Sequence, residues 1–456
     1  MYLFIKKWYT LFFLTGIFLI PFNQIAGLSI LREYSHESAI YCWLLGGILA
    51  IIEDVFLNKR IIFPYKSKVI WLWSLFFGWS LLTYFFNYSE IQVSYFKHRS
   101  GNNKFIFQTI SIFLTSYFLI YYFSKILKNS SITDFFYKIR RIVFISFIIV
   151  FVYGLLEFLV NKYSIRWVKD FIEWLNFLPI LDKREFYGER LSSVSFEVPA
   201  LGNYLIFAFG WMFSYVFTES NWFKRILPSI AIVLLTILSG ARAALVIISI
   251  QVLVSILLYI KVKEIKVNLK YFLGIFFSLL VMGSLNFNKI VEISSKKLNF
   301  FNVESNISNK TRFGMQYATI QVFKDNPIVG VGLGQNGFHK RNHYPNWAIE
   351  NNSEFTDWYL NEEVYSFAPD FNLYLKVLAE TGIIGFVLFC SFLFLLIRKV
   401  FVVATGSSFD ITVISVVLFI SIIGYLINWF QLDYFRQLGF WLCVVMLIRI
   451  ENGESV

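Results

Sequence analysis

Repeated apolar stretches, each long enough to cross a lipid bilayer, constrain the fold of this 456-residue chain more than any other feature. A transmembrane helix needs about 20 consecutive apolar residues, and such windows recur from one end of the chain to the other. The composition agrees, because 57% of the residues are hydrophobic and only 15% are charged. We therefore predict an all-α, polytopic transmembrane helical bundle of about 12 spans, with a large external loop region that is partly helical.

The predicted spans divide the chain into three membrane portions and two long loops. These portions are 1–160 with helices 1–5, the loop 161–198, 199–286 with helices 6–9, the loop 287–371, and 372–456 with helices 10–12. The spans themselves are predicted at 9–27, 39–56, 69–86, 105–126, 142–160, 199–218, 226–238, 243–260, 271–286, 379–397, 410–429 and 437–449. Because long loops of a helical bundle tend to carry function, we expect the site in these two loops.

The distribution of lysine and arginine between the loops predicts how the bundle is oriented in the membrane. With the N-terminus inside, Lys and Arg are more than twice as dense in the cytoplasmic loops as in the external ones. Both termini are therefore predicted to be cytoplasmic, and the two long loops external. The net charge of +12 follows from this topology, so it does not indicate a nucleic-acid partner.

Arg242 interrupts the apolar stretch 227–260 within Ser-Gly-Ala-Arg. A single helix would bury this arginine near the bilayer centre at a cost of several kcal/mol, so two helices with Arg242 at the turn are predicted. Its neighbours Gly240, Ala241, Ala243 and Ala244 are small and leave open space for a bound anion. The alternative is an arginine that extends to lipid headgroups.

A second candidate segment runs from Arg190 to Asn203 and contains Glu197 and Pro199. A cation and a carboxylate at one membrane-surface cavity can bind a phosphate and orient a hydroxyl, respectively. The alternative is structural, because Pro199 suits a first helical turn and an acid just before it favours the positive helix end.

A third segment, 311–334, begins with Thr-Arg312 and ends in the run Gly330-Val-Gly332-Leu-Gly334. Its apolar pattern predicts a short amphipathic helix that stops at Asp-Asn-Pro327. The glycines resemble a phosphate-binding run, but no strand-helix unit surrounds them, so tight turns at the membrane edge are predicted instead.

A fourth segment leads from Asp370 into the tenth span. Asn372, Lys376 and Glu380 fall at i, i+4 and i+8 on one helical face, where Lys376 and Glu380 can pair. A plain surface ion pair is one interpretation. The other is a functional site, because ionisable groups at the start of a membrane helix usually face a cavity.

These four motifs in this order resemble the O-antigen ligase and polymerase superfamily, over roughly residues 185–397. The resemblance implies transfer of a glycan chain from undecaprenyl pyrophosphate, without metal or other cofactor, at the periplasmic face of the bacterial inner membrane. It also implies that Arg190, Arg242 and Arg312 hold the pyrophosphate. A guanidinium fork suits that role, because it binds phosphate oxygens bidentately.

The chain departs from the ligase pattern at one point. Ligases usually carry a histidine just before the asparagine of the fourth motif, whereas Pro-Asp370-Phe371 precedes Asn372 here. We therefore predict a polymerase, whose acceptor is another lipid-linked repeat unit and whose partners include membrane lipid and a chain-length regulator. The general base is left open between Asp370 and Glu197, with His339 and His343 as weaker candidates.

Three rival functions are retained for comparison. An O-antigen ligase would transfer the chain to lipid A core. A lipid-linked oligosaccharide flippase should show paired halves and charges at mid-membrane, yet the ionisable residues here cluster at the outer boundary. A metal-dependent lipid glycosyltransferase should carry an acidic cluster in the first external loop, where 28–38 offers only Glu33 and Glu37 beside Arg32.

Overall fold

The computed structural model describes residues 2–58, 61–128, 130–181, 190–261, 307–405 and 408–452. The all-α prediction is confirmed, because the only strands in these ranges are a two-stranded antiparallel ribbon, Tyr95–Phe96 with Arg99–Ser100. The predicted ninth span, 271–286, and the first part of the loop 287–371 lie outside the described residues. Every other predicted span overlaps a described helix.

The helices are numbered here in chain order. They are α1 Tyr2–Leu19, α2 Ser38–Ile52, α3 Lys68–Phe86, α4 Tyr88–Val93, α5 Gly101–Phe113, α6 Leu119–Leu127, α7 Ile132–Tyr163, α8 Arg166–Leu175, α9 Val198–Phe213, α10 Tyr215–Thr218, α11 Trp222–Ser239, α12 Arg242–Lys261, α13 Ile307–Asp325, α14 Asn336–His339, α15 Asn346–Ile349, α16 Leu373–Thr405, α17 Phe409–Asn428 and α18 Leu438–Glu451. Short 3₁₀ and π turns occupy Ser29–Tyr34, Glu53–Asn58, Leu114–Phe118, Lys340–Asn342 and Glu354–Tyr359.

Eight helical segments of the described ranges are long and apolar enough to cross a membrane, which makes the chain a multi-pass membrane protein. They are Ser38–Leu57, Lys68–Phe86, Gly101–Leu127, Ile132–Tyr163, Val198–Thr218, Trp222–Ser239, Leu373–Val403 and Phe409–Asn428. The shorter apolar helix Arg242–Leu258 adds to them.

Helix α1 ends earlier than predicted. The span was expected at 9–27, but the helix stops at Leu19, and Pro21 follows. The residues that follow α1 instead form hydrogen bonds with Ser195 and Phe196. The Pro21 carbonyl accepts a hydrogen bond from the Ser195 hydroxyl at 2.9 Å, and Asn23 Oδ1 accepts one from the backbone N–H of Phe196 at 3.0 Å. This extended segment therefore supports the chain directly before Glu197.

The predicted turn between α11 and α12 is confirmed. Gly240 adopts a left-handed conformation with φ 65°, and α12 begins at Arg242. Small residues bring α12 close to α9, since a Cβ on Gly202 would lie 3.0 Å from the Cβ of Ala244. The arginine thus stands at one end of a helical hairpin and not within the apolar stretch.

The glycine run forms a strap, residues 327–334, that packs against a break in α16. Gly330, Gly332 and Gly334 have φ of 75°, 101° and 77°, and Gly382 interrupts α16 with φ 63° and ψ −171°. The strap amides at Val331 and Gly332 donate to the α16 carbonyls of Ala379 and Glu380 at 3.0 and 2.9 Å. The glycines therefore make turns, as predicted, and they join the third and fourth sequence motifs.

Candidate active site

Three arginines that are distant in the sequence line one cavity of about 240 Å³, named here the arginine cavity. Arg190 lies before α9, Arg242 is the first residue of α12, and Arg312 lies on α13. Pro199, Gly202, Ala241, Ala243, Ala244, Ser308, Asn309, Phe313, Gln316, Phe371, Phe430 and Gln431 complete its lining.

Arg190 is positioned by helix α7. The buried carboxylate of Glu157 accepts hydrogen bonds from the backbone N–H groups of Ser192 and Ser193, the shortest at 2.7 Å. Asn161 donates its side-chain amide to the Arg190 carbonyl at 3.2 Å. These contacts tie the loop to α7, so that the exposed Arg190 side chain lies at the turn of Gly240.

Arg312 is positioned by Phe371. Its guanidinium carbon lies 5.0 Å from the centre of the Phe371 ring, a cation–π contact. Gln316, one helical turn further along α13, donates its amide to the Phe371 carbonyl at 3.2 Å. Phe371 itself has φ 51°, so the chain that leads into α16 is folded sharply against α13.

The charges in the arginine cavity repel one another. Partial desolvation of the guanidinium and the neighbouring charge of Arg242 lower the pKa of Arg190, and burial with the charges of Arg242 and Arg190 lowers the pKa of Arg312. Within the described ranges, no carboxylate comes within ion-pair distance of Arg190 or Arg312. A bound anion would relieve this repulsion, and phosphate oxygens match the geometry of guanidinium donors.

Glu197 lines a second cavity of about 320 Å³, named here the glutamate cavity. Arg312 and Phe371 belong to the linings of both the arginine and the glutamate cavity, so the two cavities are adjacent. Burial raises the pKa of Glu197, and the Arg312 and Arg190 charges oppose this only in part. A half-buried carboxylate with a raised pKa beside a group of arginines suits proton transfer.

Asp370 is held in a different environment. The residue is 4% exposed, and its Oδ1 accepts hydrogen bonds from Lys340 Nζ at 2.5 Å, Asn336 Nδ2 at 2.7 Å and Thr319 Oγ1 at 3.1 Å. Burial alone would raise the pKa of Asp370, but the Lys340 ammonium holds it below its usual value. Such a carboxylate is a weak proton acceptor, and its contacts organise the loop before α16.

Lys376 and Glu380 line one cavity, but among the described residues the ion pair that their spacing allows is not formed, because their charged groups do not come within ion-pair distance. Lys376 Nζ instead donates to the Asp433 carbonyl at 3.1 Å. Asn372 Oδ1 accepts from the backbone N–H of Leu375 at 3.1 Å and caps the first turn of α16. Sequence spacing placed Lys376 and Glu380 on one face correctly, but the loop 429–437 offers the lysine a closer acceptor.

Lys376 and Glu380 line a third cavity of about 370 Å³, named here the mixed-charge cavity. Most of its lining residues belong to none of the four sequence motifs. The overlooked charged and phenolic residues are Glu33, Arg99, Lys104, Asp433, Tyr434 and Arg436. One available signal was the polar segment 431–437 between two apolar spans. Glu33 and Arg99 lie in short connections and Lys104 lies in the first turn of α5, where hydropathy alone does not distinguish them.

The histidine candidates lie apart from these cavities. His343 Nε2 is 3.1 Å from Asp325 Oδ2, and burial lowers the pKa of His339. Neither residue lines the arginine, glutamate or mixed-charge cavity. Within the described ranges, no three His, Cys, Asp or Glu side chains are grouped so that they could hold a metal ion.

Four aromatic residues of the loop 287–371 are candidates for stacking on sugars, and the structure divides them into two pairs. Tyr344 and Tyr359 pack edge-on against Phe355, with ring centres 4.9 and 5.8 Å away, and belong to the small core of the loop. Trp347 and Trp358 are 41% and 58% exposed. The tryptophans are therefore the pair available to a ligand.

Comparison with known proteins adds one match. Residues 227–390 match the family model described as O-antigen ligase, a stretch that includes Arg242, Arg312 and the residues from Asp370 to Glu380. No curated protein matches the chain. The match supports a membrane glycosyltransferase-like enzyme of polysaccharide biosynthesis, of ligase or polymerase type. The match confirms the resemblance drawn from the motifs over residues 227–390, a segment that is similar to the O-antigen ligase family.

Proposed function

We propose that this chain is a polysaccharide polymerase that builds O-antigen or capsule from repeat units linked to undecaprenyl pyrophosphate. The observation that carries this proposal is the arginine cavity, in which Arg190, Arg242 and Arg312 converge beside Glu197. The donor pyrophosphate would lie against the three guanidiniums. The sugar attached to it would then extend toward the glutamate cavity.

The proposed reaction is a single glycosyl transfer. A hydroxyl of the acceptor repeat unit attacks the anomeric carbon of the donor, and the bond from that carbon to the pyrophosphate oxygen breaks. Glu197 takes the hydroxyl proton, and undecaprenyl pyrophosphate leaves with the electron pair. The arginines stabilise the charge on the leaving group, and no metal or other cofactor is invoked.

Glu197 is preferred to Asp370 as the general base. The pKa of Glu197 is raised, and Glu197 lines a cavity together with Arg312. The Asp370 carboxylate, in contrast, already accepts hydrogen bonds from Lys340, Asn336 and Thr319. Asp370 is assigned a positioning role for the chain that carries Phe371.

The active face is proposed to be periplasmic, on the outer side of the bacterial inner membrane, with both termini cytoplasmic. The asymmetry of Lys and Arg between the predicted loops supports this orientation. Single cysteines at Trp358 and at Lys138, placed in a variant without Cys42, Cys390 and Cys443, test it in intact cells. A membrane-impermeant maleimide should label position 358 and leave position 138 unlabelled, and the reverse pattern would contradict the proposal.

An O-antigen ligase is the second candidate, because the matched family model carries that description. The residues before Asn372 argue against it. Ligases usually carry a histidine just before this asparagine, whereas Pro-Asp370-Phe371 precedes it here, and Asp370 is engaged by Lys340. A lipid-linked oligosaccharide flippase is the third candidate, and a chain-length regulator is the proposed protein partner of the polymerase.

Deleting the gene in its own host distinguishes the three candidates. If the protein is a polymerase, the surface glycan should carry a single repeat unit on lipid A core. Long undecaprenyl-linked chains that never reach the core would indicate a ligase. Loss of all externally exposed repeat units would indicate a transporter.

The deletion strain then tests the site. Arg312→Ala should give no polymer while the protein inserts in the membrane at the wild-type level. Arg341→Ala is the matched control, because Arg341 is exposed on the same loop and lines none of the three cavities. Normal long chains from Arg312→Ala would contradict the assignment of the arginine cavity.

A further inference from the structure

The mixed-charge cavity lies next to the glutamate cavity and is separate from the arginine cavity. It shares Pro369, Asp433, Tyr434 and Arg436 with the glutamate cavity, and it shares no lining residue with the arginine cavity. The glutamate cavity therefore lies between an anion site and a second pocket. At about 370 Å³, that pocket falls within the size range of small-ligand sites.

The charges that line this pocket are balanced. Arg436 Nη1 is 3.9 Å from Glu33, and the lining carboxylate of Asp370 is paired with Lys340. Lys376 donates to the Asp433 carbonyl. Carboxylates stand among the cations of this lining, whereas the charged residues that line the arginine cavity are all arginines, so the pocket selects for an anion much less strongly than the arginine cavity does.

The remaining surface suits a ligand rich in hydroxyl groups. Lys104 Nζ lies over the ring of Phe367, 4.7 Å from its centre, so this wall presents the ammonium as a hydrogen-bond donor, and Tyr434 and Phe435 add aromatic rings to the lining. Gln108 follows Lys104 by one helical turn of α5 and lines the same wall. A sugar presents hydroxyls that both donate and accept, together with an apolar ring face, and therefore matches donors, acceptors and aromatic rings in one pocket.

We propose that the mixed-charge cavity binds an uncharged saccharide, the terminal one or two sugars of the acceptor repeat unit. The inference rests on the proposed polymerase function. The donor pyrophosphate occupies the arginine cavity, so an acceptor held on the far side of Glu197 would direct its hydroxyl toward both the base and the donor sugar. Lys104 and Gln108 bind the acceptor and take no part in the bond-breaking step.

Binding to the full-length protein in lipid nanodiscs tests this site without requiring catalysis. One probe is the repeat-unit oligosaccharide of the host, released from its lipid, and the other is a short polyprenyl pyrophosphate. Lys104→Ala and Gln108→Ala should each weaken oligosaccharide binding about tenfold or more and leave pyrophosphate binding within about twofold. Lys162→Ala, an exposed lysine that lines none of the three cavities, should change neither.

Several outcomes would overturn the proposal. These are no oligosaccharide binding by the wild-type protein, unchanged binding by both variants, or tighter binding of an oligosaccharide whose primary hydroxyls have been oxidised to carboxylates. Gln108→Ala keeps every charge, so it separates a local loss of binding from misfolding of the Lys104 variant.

Chain-extension kinetics separate this inference from the proposed function. The acceptor KM of Gln108→Ala should rise while its donor KM stays unchanged. If Gln108→Ala extends chains with an unchanged acceptor KM, the saccharide site is refuted, but the proposed polymerase function is not. Oligosaccharide binding that the variants weaken, in a protein that never extends chains, would support the site and refute the polymerase.

Discussion

Lys340 Nζ lies 2.5 Å from Asp370 Oδ1, and both side chains are almost fully buried in the loop that precedes α16. Asn336 and Thr319 donate to the same carboxylate oxygen. The pair links the segment that follows the glycine strap to Asp370, the residue before Phe371. Phe371 in turn contacts Arg312 in the arginine cavity. The pair therefore helps to position Arg312 without touching the substrate itself.

Removing one member of this pair should destabilise the loop. Lys340→Met leaves a buried carboxylate without its cation, which typically costs about 3–5 kcal/mol. Thermal unfolding of the purified protein, followed by tryptophan fluorescence, and limited proteolysis of the loop measure the effect. Adding Asp370→Asn to Lys340→Met should recover part of the loss, and equal stability of wild type and Lys340→Met would contradict this role.

The same pair predicts a response of the loop to acid. Lys340 lowers the pKa of Asp370 in the folded state, so the stabilisation is fully present above the unfolded value of about 3.9. It is lost as pH falls through the lowered, folded-state pKa. Hydrogen exchange of the amides of 336–370 should therefore stay slow down to about pH 4. Opening of this segment near neutral pH in the wild type, but not in a Lys340→Met/Asp370→Asn variant, would argue against the assignment.

Glu197 predicts a response of the rate to acid. Burial raises its pKa, so the carboxylate needed as a base disappears at a pH above the usual value for glutamate, about 4.3. Chain extension should fall as pH decreases through that raised pKa. Glu197→Gln should remove this acid limb along with most of the activity, by about a hundredfold or more. An unchanged profile in Glu197→Gln would exclude the residue as the base.

The glycine strap predicts a backbone effect. A Cβ on Gly330 would lie 2.5 Å from the backbone carbon of Glu380, and its φ of 75° disfavours any side chain. Gly330→Ala should destabilise the protein by about 1–3 kcal/mol from the backbone conformation alone, and the steric overlap adds to this. Gly78→Ala is the control, because nothing lies within 4 Å of that site on α3 and alanine favours a helix. Equal thermal midpoints for the two variants would contradict the close packing.

The sequence predicted features that depend on local pattern. Hydropathy located the membrane helices, the interruption at Arg242 predicted the helical hairpin, and the stop at Asp-Asn-Pro327 predicted the end of α13 at Asp325. Resemblance to a family supplied the three arginines. Each of these inferences uses neighbours in the chain or a motif that can be read in order.

Other features depend on contacts between distant segments and could not be read in this way. Lys376 prefers the carbonyl of Asp433, 57 residues away, to Glu380 on its own helix. The burial of Asp370 against Lys340 follows from how the strap and the loop fold onto α16. The mixed-charge cavity is assembled from five separate stretches of chain, most of which carry no motif.

Binding of a short polyprenyl pyrophosphate to the purified protein tests the central claim most directly. Arg190→Gln, Arg242→Gln and Arg312→Gln should each weaken binding about tenfold or more, because each removes a charge-assisted contact to phosphate. Arg341→Gln should bind like the wild type. Wild-type affinity in all three cavity variants would show that the arginine cavity does not hold the donor pyrophosphate, and it would contradict the proposed mechanism.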